Sequence, residues 1–537
     1  MTTTDIPVLI VGAGAAGLST AALLAKHGVD SLVVEKRQEI FRYPKARNLS
    51  FRTLEILRGL GLSGEIAAAG ADFPDMISKP ALNSPEELPA LDIKALFTGM
   101  DGLSPEPVIR YCPQSRLEPM LVRHIRNAGG QVRYGTELVT VEQDDAGACA
   151  VLRDIDSGTT TAIRADYLIA ADGVHSTIRK TFGIGTTGCD ALPIYVVFVY
   201  FRGPWQQYVP HLGDGSSVQV KSAAVEGIFV PADGDLCVFI TTYFPQRGQS
   251  VDEFTQQRCH ELLSAAVGET FDAEIIEIAA WQPHERVAAT FMHGRTFLVG
   301  DSAHAMPPFK AGGANVAIQS ADNLAWKLAE VLHGRADTRL LATYHDERHP
   351  IGAFSCRQSL TGPALSFLDT DSYSGLEAEE ERPLFSMIAG YQYRSAAVVS
   401  DTPSTGALPE LVSELRGQPG TRMPHVWLHG GVSTLDLVGR GFTLLTAEPT
   451  GAWSTPESVV LQTISPEDRK AWLSATRLQP DGALLVRPDA FVTWRAESLP
   501  ADPIAELDRV LTTVRQCNPA NPDKHHATWD DARSPAR

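Results

Sequence analysis

Apolar residues recur along this chain in two periods, and each period predicts a different element. Short unbroken runs, "IPVLIV" (6–11), "SLVVE" (31–35), "YLIAA" (167–171) and "TFLVG" (296–300), end at glycine or a charged residue and read as strands buried on both faces, as in a parallel sheet. By contrast, "LSTAALLAKHG" (18–28) and "NLAWKLAEVL" (323–332) space their apolar residues as helices do, so Trp326 and the leucines around it read as core. The stretch 186–283 differs again. Its runs "IYVVFVYFRG", "SVQVKSA", "EGIFVPA" and "LCVFITTYF" are aromatic and β-branched and predict a layer made mostly of strands. Within one such strand Phe198 and Tyr200 share a face that Tyr195 does not, so at most one face lines a cavity.

The candidate chemistry sits where the buried strands end. "GAGAAG" follows the first strand and opens a helix, so Gly12 fits a tight turn, Gly14 a close approach to a pyrophosphate, and Gly17 close helix–strand packing. Glu35 closes the second strand roughly twenty residues on, where a carboxylate accepts hydrogen bonds from an adenosine ribose. The strand ending at 171 delivers Asp172-Gly173, and the strand ending at 299 delivers Gly300-Asp301. Carboxyl ends of parallel strands are where open α/β sheets hold ligands. With no second GxGxxG in the chain, one Rossmann unit serves one permanently bound nucleotide.

In this order and spacing, the GxGxxG, DG and GD trio resembles the single-component flavoprotein aromatic hydroxylases, the para-hydroxybenzoate and phenol hydroxylase group. More narrowly, the chain is similar to the members that tailor aromatic polyketides and related antibiotics. The resemblance implies an α/β fold with a glutathione-reductase-like Rossmann domain binding FAD tightly but non-covalently, a mixed β-sheet substrate domain and a thioredoxin-like C-terminal domain. The implied boundaries are 1–75, 111–185 and 284–360 for the FAD domain and 76–110 with 186–283 for the substrate domain. After them come a helical connection over 361–400, a Pro/Gly/Ser-rich linker over 401–425, and a C-terminal domain over 426–537 that lacks CxxC and so runs no dithiol chemistry. A frayed tail is expected over 518–537.

The same resemblance assigns cofactor contacts to Gly12, Gly14, Ala15, Ala16, Gly17, Glu35, Lys36, Gln114, Arg116, Asp172, Gly173, Gly300, Asp301, Pro308, Gly312, Gly313, Ala314 and Asn315. Asp172 also serves the visiting NAD(P)H. Arg47 has two readings, a group beside flavin or substrate, or a surface cation paired with an acid; it and Pro307 are the catalytic candidates. Phe198, Tyr200, Phe229 and Tyr243 are the substrate candidates, and Tyr195 is a further pocket aromatic. His304 reads as holding its motif through a hydrogen bond. The segment departs from the family pattern at Lys45, in a usual arginine slot, and at Ala311, in a glycine slot. Lys310 beside it is either a solvent-facing or acid-paired side chain, or a cation that favours anionic reduced flavin or holds an acidic substrate.

The implied reaction is hydroxylation of a phenolic or polyketide-like aromatic: NAD(P)H reduces FAD, O2 adds to give a C4a-hydroperoxyflavin, and its distal oxygen passes to the ring. Baeyer–Villiger chemistry on the same scaffold and a non-catalytic flavin- or intermediate-binding protein are the alternatives. A halogenase Trp-x-Trp-x-Ile-Pro stretch is absent. Composition narrows the partners. A net charge of −18 repels phosphate backbones and anionic membranes. Seven cysteines (112, 149, 189, 237, 259, 356, 517), odd in number and without zinc-like spacing, read as reduced thiols of a cytoplasmic protein with no metal site. "MTTTD" has no basic residue, so the first apolar run does not read as an export signal. A monomer or homodimer is expected.

Overall fold

The computed structural model describes residues 3–41, 46–90, 92, 94–193, 195–232, 235–310, 312–362 and 379–516; Lys45, Ala311 and the 518–537 tail lie outside the described residues. Strand β1 (Thr3–Val11), helix α1 (Ala15–Lys26) and strand β2 (Ser31–Val34) form the opening unit. Helix α2 (Phe51–Arg58), helix α3 (Gln114–Asn127), strand β3 (Gln131–Arg133) and strand β4 (Thr160–Ala170) follow. Together with the later strand Thr296–Leu298 they build a parallel sheet in which that strand, β4, β1, β2 and β3 lie side by side. The strands are buried runs because helices cover them; α1 has no exposed face against which an apolar stripe would stand out, and its Leu18 to Leu24 segment is wholly buried.

A second, six-stranded sheet joins β5 (Tyr195–Arg202), β6 (Ser217–Lys221), β7 (Glu226–Pro231), β8 (Leu236–Tyr243) and, after helix α4 (Gln256–Val267), β9 (Glu274–Trp281). Its remaining edge is Met76–Lys79, parallel to β6. One face packs on α4 through Val197, Val199, Phe201, Phe229 and Phe239.

The chain returns to the first domain as helix α5 (Gly312–Leu332) and helix α6 (Thr343–Gln358). The described part of the 361–400 connection is helical only over Leu384–Ile388, then extended at Tyr391–Gln392. The 401–425 stretch ends buried, with Thr421, Arg422 and Met423 at 0 % exposure, so packing starts before the linker reading has it start. Strands β10 (Phe442–Thr446), β11 (Val459–Thr463), β12 (Ala483–Val486) and β13 (Val492–Ala496), with helix α7 (Arg469–Thr476) and helix α8 (Pro503–Gln516), make the C-terminal domain. The sheet order β11-β10-β12-β13, with the first pair parallel and the others antiparallel, is that of a minimal thioredoxin-like sheet.

A buried ionic network fastens this domain to the first one. Arg487 donates to both carboxylate oxygens of Glu347 at 2.6 and 3.0 Å and to Asp489 at 2.6 Å. Lys327 of α5 reaches the same Glu347 at 2.8 Å, Trp326 donates to Asp489 at 3.1 Å, and Arg52 of α2 joins Asp322 to the Asp489 carbonyl. Arg422 pairs with Glu55.

Candidate active site

Register puts the sequence motifs in one place. Val11 of β1 lies opposite Ala170 of β4, Ala170 opposite Leu298, and Val11 opposite Val34 of β2. The GxGxxG turn, Asp172-Gly173, Gly300-Asp301 and Glu35 therefore leave the sheet at the same edge.

The glycines divide by what surrounds them. Gly12 has φ +110°, and a Cβ there would stand 2.2 Å from the Ala171 carbonyl oxygen. A Cβ on Gly17 would stand 1.9 Å from the Gly12 oxygen. Both are demanded by protein packing alone. A Cβ on Gly14 would find nothing nearer than the Gln114 and Glu118 side chains at 3.9 Å, so packing leaves that place open. Gly14 is also the N-cap of α1 and supplies no side-chain cap, which leaves first-turn N–H groups of Ala15, Ala16 and Gly17 to an anion. The Oδ1 of Asp172 is buried with no hydrogen-bond partner, while Oδ2 accepts from the Ile178 amide at 3.1 Å. An uncapped helix start and an open glycine are what a dinucleotide diphosphate requires, and an unsatisfied carboxylate oxygen suits a hydroxyl donor of the same ligand, so these residues fit FAD.

Glu35 is buried and accepts from the Ala13 amide at 2.9 Å and from the Arg37 backbone and side chain at 3.0 and 2.9 Å. Burial pushes its pKa up, but these donors together outweigh it and hold the carboxyl below its ordinary range. Lys36 follows, exposed. Asp301 is exposed beside Gly300, whose φ of +70° lets it pass Ala16. Gln114 donates its backbone N–H to the Ala46 carbonyl and its amide to Glu118. Arg116 bridges outward, to the Ala69 carbonyl at 2.7 Å and Asp214 at 2.8 Å.

The second wall is the start of α5. Pro307 is buried and Pro308 exposed; Gly312, Gly313 and Ala314 open the helix. Asn315 ties that helix start to the strand leading into α2, accepting from the Ser50 amide at 2.9 Å and donating to the Asn48 carbonyl at 3.0 Å. Lys310 is acid-paired, with Glu381 at 2.7 Å and the Thr361 hydroxyl at 2.8 Å.

Arg47 is not a surface cation paired with an acid. It is half-buried, donates to the Gly215 carbonyl and the Ser217 hydroxyl at 3.3 Å, and makes no ion pair among the described residues. Its guanidinium thus spans from the FAD domain to the second sheet. His304 also departs from expectation. It is fully buried, and neither ring nitrogen has a hydrogen-bond partner among the other described residues. It holds its place by packing on Phe291, ring centroids 5.7 Å apart. The four substrate aromatics split. Phe198 and Tyr200 share the face turned from α4, whereas Phe229 is core on the α4 side, and Tyr243 packs there with Phe254. Tyr195 shares the Tyr243 side.

Arg179, which sequence reasoning left without a task, clamps two motifs. It donates to the Ser302 carbonyl at 2.8 Å and the Val174 carbonyl at 2.9 Å, joining the DG and GD loops. Its place in "DGVHSTIR" was the available signal.

Comparison with known proteins agrees with this geometry. A family model described as FAD binding domain matches residues 5–359, and one described as aromatic-ring hydroxylase, C-terminal, matches 416–515. A putative polyketide hydroxylase of Streptomyces halstedii is 35 % identical, over 95 % of this chain and 97 % of that protein. The tetracenomycin A2 monooxygenase-dioxygenase of Streptomyces glaucescens is 34 % identical, over 96 % and 97 %. Among solved structures, aklavinone-11 hydroxylase in complex with FAD and aklavinone superposes with a TM-score of 0.84 at 32 % identity, over 96 % of this chain and all of that one.

Proposed function

The chain belongs to the FAD-binding aromatic-ring hydroxylases, and on that premise we propose that it hydroxylates a phenolic, polyketide-like small molecule in antibiotic biosynthesis, consuming NAD(P)H and O2 in the cytoplasm. The observation that carries the reading is the gathering of three motifs and Glu35 at one sheet edge, beside a second sheet whose aromatic face is turned away from α4. When bound, FAD supplies the redox chemistry, taking hydride from the nicotinamide and activating O2 for transfer to the ring.

The chain's own residues hold and shield. The α1 amides and Gly14 receive the diphosphate, Glu35 the ribose hydroxyls, and Asp301 the ribityl chain. The N-terminus of α5, through Gly312, Gly313 and Ala314, would offer backbone N–H groups and the positive helix end to stabilise negative charge on a reduced flavin. Arg47, whose guanidinium reaches Gly215 and Ser217 of the second domain, would orient an oxygen of flavin or substrate, and Pro307 would shape the loop before α5. The apolar Phe198–Tyr200 face excludes water from the reacting atoms.

Purified protein is expected to be yellow. An aromatic polyphenol should accelerate its NAD(P)H consumption, and 18O from 18O2 should enter the product. Protein that takes up no FAD after refolding with it, or that returns all its oxygen as H2O2 with every aromatic in a broad panel, overturns the reading.

A further inference from the structure

The face of the second sheet that looks away from α4 is turned toward the FAD domain at both ends. At one end Leu360 packs with Val196, Phe198 and Ile240, and the next residue, Thr361, accepts from Lys310 of the loop that precedes α5. At the other end Arg47 reaches Ser217, which alternation places on this face because Val218 and Val220 belong to the α4 side.

A row of rings crosses this face. Tyr200 stacks on Phe198 with centroids 6.1 Å apart and planes at 20°, and Phe198 meets Trp281 at 5.9 Å with planes tilted by 60°. Trp281 ends β9, the edge strand, opposite Val196, and so shares the face. Exposure rises along the row from 7 % at Tyr200 to 39 % at Trp281. The row therefore runs from the closed interior to the open edge of the sheet.

We propose that Trp281 is a specificity-determining residue: with Phe198 it forms the outer half of an aromatic wall that selects substrates with three or more fused aromatic rings. The proposal rests on the hydroxylase reading above. A single ring touches one member of the row, whereas a polycycle lying along it also covers the indole and gains aromatic contact and burial there.

The test uses FAD-loaded protein and four probes: phenol, 1-naphthol, a hydroxyanthraquinone and a hydroxynaphthacenequinone. Dissociation constants are read from tryptophan quenching and from the flavin absorbance change. Trp281→Ala should weaken the four-ring probe by about tenfold and leave phenol unchanged, and Trp281→Phe should restore most of the loss. Flavin content and melting temperature should stay as in the wild type, and KM for a turned-over polycycle should rise with kcat retained. Equal losses for phenol and the four-ring probe, or no loss for either, overturn the role of Trp281 while leaving the hydroxylase reading standing. A wild type that binds none of the four probes overturns the hydroxylase reading itself, and the proposal with it.

Discussion

Lys310 and His304 sit six residues apart in one motif, and both are settled by partners that lie far off in the chain. The ammonium of Lys310 is held by Glu381 and Thr361, so the cation beside the flavin loop comes with its counter-charge. Neither ring nitrogen of His304 has a hydrogen-bond partner among the other described residues. Burial, then the nearby Arg348, pushes its pKa down to about 3, and burial with Lys26 does the same to His27. The unfolded chain takes up these protons below about pH 6.5, whereas the folded chain refuses them until about pH 3, so the stability is full above pH 6.5 and lost as pH falls. Each such histidine costs about 1.4 kcal/mol per pH unit in that window. His304→Phe should be near neutral at pH 7, because it removes no hydrogen bond, and should lose less stability than the wild type between pH 7 and pH 5. Urea unfolding at both pH values checks this; equal losses in the two proteins would show that His304 is not a source of the acid sensitivity.

At the scale of elements, the glycine turn separates packing from ligand binding. Gly17→Ala drives a methyl into the Gly12 carbonyl oxygen at 1.9 Å, with the Ala171 methyl also close at 3.3 Å and no flexible neighbour to yield. Strand β1 and α1 must part, and soluble, cooperatively folding protein should fall sharply. Gly14→Ala meets only side-chain ends at 3.9 Å, and alanine there removes no protein contact. It should unfold as the wild type does, within about 1 kcal/mol, yet bind FAD at least tenfold more weakly, because the methyl enters the space in front of the α1 amides. Thermal melts of the apoproteins and FAD titration separate the two outcomes. If Gly14→Ala binds FAD normally, the diphosphate does not lie there. This region was legible in the sequence because everything it needs is local: a buried run, a turn, a helix start and an acid on the next strand. The split of the four aromatics was less so. Alternation pairs Phe198 with Tyr200, but only the pairing of β7 and β8 shows that Phe229 and Phe239 back onto α4.

Across the whole molecule, the C-terminal domain is held by charges that no local pattern announces. Arg487 and Glu347 are separated by 140 positions, stand at 0 % exposure and are joined by two hydrogen bonds. In the sequence each looks like an ordinary surface residue of a strand end or a helix. The family resemblance announced such a domain; it did not announce that its Arg487 and Asp489 reach in beneath α5, the helix whose start faces the flavin motif. Burial alone would push Glu347 up, but Arg487, and then Lys327, hold it ionised and well below the carboxylate range. Glu347→Gln removes the one carboxylate that both cations share and leaves Arg487 and Lys327 buried with excess positive charge, a loss of about 3–5 kcal/mol. Replacing Glu347 and Lys327 together with the Asn323 amide that bridges them, as Glu347→Leu, Lys327→Met and Asn323→Leu, removes one charge of each sign, leaves Arg487 paired with Asp489, and should recover most of that loss. If the network also sets the position of α5, the triple variant will regain its melting temperature but keep a shifted flavin absorption spectrum and a faster loss of FAD on dilution. Recovery of stability, spectrum and FAD retention together would reduce the network to a fastening between domains.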